Sequence, residues 1–110
     1  MKIELLIVDT NAHEKNVMGA AYNHLQQRGS VAFIGPASSA RTIPVAQWLS
    51  LPSIDRAIIG YSATSPELSK SEFWNFLRTP PTDDAPAKLM AKLMRGLLVE
   101  SFACLDIGAN

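Results

Sequence analysis

Val31-Ala32-Phe33-Ile34-Gly35-Pro36-Ala37-Ser38-Ser39 is a short apolar run that ends at a glycine and passes into residues suited to starting a helix. Ser38 or Ser39 can cap that helix, and Thr42, Val45, Ala46 and Leu49 fall on one face of it. Pro44 comes early and removes little beyond one backbone bond. A buried strand followed by a one-faced helix is half of a βαβ unit, and the same grammar recurs on both sides.

Upstream, Ile3 to Val8 is nearly all aliphatic and ends at Asp9-Thr10, which predicts a strand buried on both faces. From about Ala12 to Arg28, Met18, Ala21, Tyr22 and Leu25 recur at helical spacing, and Gly29 is a natural terminator. Downstream, the Leu51-Pro52-Ser53 break precedes a third strand predicted over Ala57 to Tyr61. Ser71 to Leu77 is expected to form a short helix that packs Phe73, Trp74 and Phe76 onto the sheet. Pro86 in a first helical turn, with Asp83 and Asp84 just before it, predicts a helix whose Leu89, Met90, Leu93, Met94 and Leu97 stripe belongs to the core. Phe102 to Ile107 is expected to be a last strand. Strands alternating with helices predict an α/β domain with a parallel sheet, flanking helices and right-handed crossovers. Residues 1–110 are expected to be a single domain, without repeats.

Composition narrows the function. Ten basic and ten acidic residues cancel, so no electrostatic footprint marks a nucleic-acid partner or an acidic membrane surface. Cys104, the only cysteine, excludes an intrachain disulfide and is expected to be a buried, inert thiol. The apolar run at the amino terminus is too short for a signal sequence and no membrane span follows, so the chain as written is expected in the cytosol unless it is part of something longer.

Hydroxyl groups gather after two of the predicted strands, at Ser38-Ser39 and in Tyr61-Ser62-Ala63-Thr64-Ser65-Pro66-Glu67-Leu68-Ser69. Parallel strands would place both stretches on the carboxyl edge of one sheet, where open α/β folds bind small ligands. A helix starting at Ser38 or Ser39 offers amides and a positive dipole end to a carboxylate or phosphate, and Thr64 can meet an ammonium group. Taken alone, each stretch reads more simply as a helix cap and a polar loop. Catalysis has little support. The G-x-S-x-G elbow is absent, His13 and His24 share the first helix, and they lack metal-ligand spacing. No cofactor is expected.

Together, Ile7-Val8-Asp9-Thr10, Ile34-Gly35-Pro36-Ala37-Ser38-Ser39, Tyr61 to Ser69, and Phe76-Leu77-Arg78-Thr79 with Pro81 and Asp83 resemble the ligand-binding region of class C G-protein-coupled receptors. Metabotropic glutamate and taste receptors are the most similar members, and bacterial type I periplasmic amino-acid-binding proteins share the fold. The likeness covers roughly Ile3 to Gly96. It implies a partial first lobe of a type I periplasmic-binding-protein-like, flavodoxin-like fold that lacks the family's first strand and helix. It also implies an amino-acid ligand, glutamate-like, held by Ser38, Ser39, Ser62, Ala63 and Thr64. Ser39 would take the α-carboxylate, while the Ser62 carbonyl and the Thr64 hydroxyl would take the α-ammonium.

The opposite lobe and the membrane-spanning helices of a receptor are not in this chain, so the resemblance implies extracellular exposure and a membrane only through a longer parent. Asn11 stands where the family often has cysteine. The absent first strand means that Ile3 to Val8 and Val31 to Ile34 must pair directly or leave a gap. The alternative to a receptor lobe is therefore a truncated product or interaction module, dimeric or completed by another chain.

Overall fold

The computed structural model describes residues 1–11, 13–98, 100, 101 and 103. Helix α1 runs Glu14–Arg28, strand β1 Ala32–Ile34, helix α2 Ser39–Leu49 and strand β2 Ala57–Gly60. Two 3-10 turns, Pro66–Ser69 and Ser71–Phe73, lead to strand β3, Phe76–Arg78, and helix α3, Asp84–Gly96. The strands form one parallel sheet in the order β1-β2-β3. This is the α/β architecture predicted, with each crossover carrying at least one helical segment.

Register explains where the core sits. Phe33 pairs with Ile58 and Ile58 with Phe76, so these three side chains share one face of the sheet. Over it lie Val17 and Ala21 of α1 and Val45, Ala46 and Leu49 of α2, all buried in one cluster with Ile58, Phe73 and Phe76. Tyr22 and Trp48 join the two helices through tilted rings 6.1 Å apart. The α2 face is the one its spacing predicted, with Thr42, Val45, Ala46 and Leu49 all buried. Thr42 is tolerated there because its hydroxyl donates to the Ser38 carbonyl at 2.8 Å, with the Pro36 carbonyl 3.2 Å away. Gly29 ends α1, its amide donating to the Leu25 carbonyl.

A buried polar side chain ties the last turn of α2 to the sheet. Asn75 donates from Nδ2 to the carbonyls of Ala46 and Arg56, at 3.2 and 3.0 Å, and its backbone carbonyl accepts from the Ile58 amide. One residue, through its side chain and its backbone, thus holds α2, β2 and the approach to β3 together.

Four expectations are corrected. Ile3 to Val8 is not a strand: the segment has no regular structure, and Ile3, Leu5 and Ile7 are 82, 68 and 84% exposed. An apolar run becomes a strand only when a ladder accepts its backbone, and β1 does not pair with it. Phe76 belongs to strand β3, not to a helix over Ser71 to Leu77, because its backbone is drawn into pairing with β2. Trp74, expected to pack with it, is exposed. The Leu89 to Leu97 stripe is not core either, since α3 has no buried residue.

Among the described residues, the sheet is covered on one face only. Ile34, Ile59 and Leu77 form the row facing the other way, and Ile34 and Leu77 are exposed. The Cα radius of gyration is accordingly 17.1 Å, against about 13 Å for a compact chain of this length. Cys104 and most of the strand predicted over Phe102 to Ile107 lie outside the described residues.

Candidate functional site

Parallel strands carry the three following loops to one edge of the sheet. Gly35 leaves β1 with its amide still bonded to the Ile59 carbonyl at 2.8 Å. Its φ of +90° is open to glycine, and a Cβ there would stand 3.1 Å from the Tyr61 ring. The chain then turns through Pro36 and Ala37 into Ser38, the amino-terminal cap of α2, and Ser39, its first residue. β2 is followed by Tyr61 and then Ser62-Ala63-Thr64-Ser65, and β3 by Thr79 to Asp83.

Ser38 caps α2 by position, yet its hydroxyl makes no cap bond; Oγ is buried without a hydrogen-bond partner. Ser39 reaches the second loop, its Oγ accepting from the Ser65 amide at 3.1 Å. That bond occupies a lone pair and leaves the Ser39 proton for another acceptor, next to the positive end of the α2 dipole.

Thr64 has the opposite polarity. Its hydroxyl donates to Asp83 Oδ2 at 2.9 Å, because a carboxylate only accepts, and its remaining lone pairs are acceptors. The Asp83 amide returns a bond to the Thr64 carbonyl at 3.1 Å. Ala63 is fully buried and anchors the loop in the core, whereas Ser62 is exposed.

Of the five residues singled out in the sequence, Ser38 and Ser39 lie at the start of α2 and Ser62, Ala63 and Thr64 in the loop after β2, and a bond between Ser39 and Ser65 links the two segments. Three participants were missed. Asp83, which belongs to the fourth stretch of the resemblance but is not among the five residues, stands at the cap position of α3, yet its carboxylate makes no cap bond and takes the Thr64 hydroxyl instead. Ser65 and Arg78 were not assigned a role; Arg78 donates to the Ser65 carbonyl at 3.1 Å and to Ser69 Oγ at 2.7 Å. The motif Phe76-Leu77-Arg78-Thr79 was the available signal for Arg78.

His13 is exposed at the amino end of α1, and His24 lies in that helix with Nδ1 buried. Among the described residues, no group of three or more His, Cys, Asp or Glu is placed to hold a metal ion, and no helix is long and apolar enough to cross a membrane. A shallow groove between Val8-Asp9 and α1, lined by Lys15, Asn16, Asn23 and His24 among others, involves none of the three loops.

A parallel α/β sheet with hydroxyls and a carboxylate gathered in the loops at the carboxyl edge of its strands has the layout in which open α/β folds bind small ligands. The family described as the receptor family ligand binding region matches residues 1–105, and the chain belongs to it. Its structure is similar to that of an ABC transporter substrate-binding protein from Desulfitobacterium hafniense, with a TM-score of 0.71 and 22% identity. That likeness covers 86% of this chain and 27% of the other, so the chain spans about a quarter of that protein's length. Comparison with curated proteins returns no match.

Proposed function

We propose that this ligand-binding region takes an α-amino acid, glutamate or a close relative, as one wall of a two-lobed cleft and performs no chemistry on it. The reading is carried by the opposite polarity of two hydroxyls. Ser39 keeps a proton to give beside a helix start, which suits the α-carboxylate, and Ser38 adds a buried hydroxyl without a partner. Thr64 has given its proton to Asp83 and keeps lone pairs beside a negative charge, which suits the α-ammonium. Ser62, an exposed residue of the same loop, would supply its carbonyl as a further acceptor for the same group.

Titration of labelled protein with glutamate, followed by NMR, tests this. Amide shifts are expected at Ser39, Ala40, Ser62 and Thr64 at millimolar ligand, and Ser39→Ala or Thr64→Val should each weaken binding by roughly tenfold or more, the worth of one hydrogen bond to a charged group. N-acetylglutamate, which lacks the ammonium, should lose the Thr64 shifts and keep those at Ser39. Absence of shifts in both loops would sink the proposal.

A second reading, in which a second copy of the chain completes the sheet, is favoured by the open edge of β1. The Gly35 amide points to β2, so by two-residue alternation Ala32 and Ile34 turn their amides to the open side. The exposed Ile3 to Val8 segment of another copy is an apolar partner of the right kind for that edge. Concentration-dependent dimers are expected by sedimentation, with the Ile34 amide protected from exchange in the dimer and monomers restored by Ile7→Lys. A monomer at all concentrations, with Ile34 exchanging freely, excludes it.

A further inference from the structure

We infer that Arg78 is a positioning residue of the binding edge: its guanidinium fixes Ser65, and through Ser65 sets the Ser39 hydroxyl and the Thr64 loop at their mutual spacing. The inference rests on the amino-acid reading above for the role of those two hydroxyls.

Its basis is the number of bonds that converge on Ser65. The Ser65 amide donates to Ser39 Oγ at 3.1 Å, its carbonyl accepts from an Arg78 Nη at 3.1 Å, and its own Oγ accepts from the Glu67 amide at 3.2 Å. Both backbone groups and the side chain of one residue are therefore engaged, each by a different segment of the chain. Thr64 precedes Ser65 directly, and its carbonyl is held by the Asp83 amide.

Arg78 is suited to this place by its shape. It is the last residue of β3 and lies in register with Gly60, the last residue of β2, so its side chain starts beside the loop it braces. Its second nitrogen donates to Ser69 Oγ at 2.7 Å, which closes the fork over the whole Pro66–Ser69 turn. The Phe76 ring lies 5.3 Å from the guanidinium carbon and limits its swing. A planar fork can hold a carbonyl and a hydroxyl at once, whereas an ammonium is a point donor without that fixed geometry. Two of its nitrogens are committed to the protein, so its part is to place other groups rather than to hold ligand.

Amide hydrogen exchange of the ligand-free protein tests the brace without reference to any ligand. In Arg78→Gln, exchange at the Ser65 amide is expected to rise about tenfold, the scale of one lost charged hydrogen bond, while Ile58 and Ala46 in the core keep their rates. Arg78→Lys, which keeps the charge and loses the fork, should restore less than half of the protection. Ser69→Ala removes one anchor of the fork and is a second route should Arg78→Gln fail to fold; it should raise the Ser65 rate less. Unchanged Ser65 exchange in these variants, or an equal rise at core amides, overturns the positioning role. Glutamate titration of the same variants reads the other half: affinity should fall with Ser65 protection. If wild type shows no glutamate shifts, the amino-acid reading fails even where the Ser65 exchange effect stands.

Discussion

Ile58→Ala is expected to destabilise the protein by about 2–5 kcal/mol, the range for deleting a fully buried branched side chain and leaving a cavity. Ile58 has no exposed surface, occupies the central strand, and is flanked in register by Phe33 and Phe76 beneath Val45, Ala46 and Leu49. Neither neighbour can close the gap easily, since each is fixed by its own strand. A domain of this size has about 5–15 kcal/mol in total, and among the described residues only one face of the sheet is packed. The substitution therefore removes a large part of the whole, and Ile58→Val should cost about 0.5–1.5 kcal/mol. Ile34→Ala, on the neighbouring strand β1 and on the opposite, exposed face, should stay within about 0.5 kcal/mol, as surface changes do. Urea unfolding followed by circular dichroism provides the comparison. Equal midpoint shifts for Ile58→Ala and Ile34→Ala would mean that the core is not where the register places it.

That contrast between faces also marks how far the sequence could be read. The α2 face of Thr42, Val45, Ala46 and Leu49 was legible because a helix writes its buried side in a local period, and all four are buried. Ile3 to Val8 had every compositional mark of a strand, but a strand exists only by virtue of a neighbour, and no local pattern shows whether that neighbour is present. The α3 stripe failed in the same way: periodicity gave the apolar face of Leu89, Leu93 and Leu97 and could not supply something for it to pack against. Phe76 to Arg78, at three residues, was too short for any pattern to outweigh the aromatic run before it.

At the binding edge, the residue types were readable and the pairings were not. Ser39 and Thr64 stood out as hydroxyls after strand ends. The partners that give them direction lie far along the chain: Ser65 is 26 residues from Ser39, and Asp83 is 19 from Thr64. Only the parallel order β1-β2-β3 brings those loops to one edge. Composition thus marked the hydroxyls after the strand ends, and topology brought together the partners that give each its direction.

The same coupling between sheet and edge makes Gly60→Ala a substitution with two effects. A Cβ at Gly60 would lie 2.7 Å from Phe76 Cζ, 2.8 Å from Cε2 and 3.4 Å from the Ala63 Cβ. The first two distances are too short for carbon atoms in contact, so the Phe76 ring must move or the strands must part. Overpacking of this kind costs about 1–3 kcal/mol, and since each kcal/mol lowers Tm by roughly 4–8 °C in a domain near this size, a clear fall in the thermal midpoint is expected. The displaced ring is the one that faces the Arg78 guanidinium, and Ala63 is the buried anchor of the Thr64 loop. Protection of the Ser65 amide should therefore fall along with stability, beyond what a core change elsewhere produces. Gly60→Ala combined with Phe76→Leu, which removes the ring the new methyl strikes, should recover part of the thermal midpoint despite the loss of aromatic surface. A Gly60→Ala protein that melts with wild type, or a double variant no more stable than the sum of its single changes, would show that the ring and the methyl do not meet.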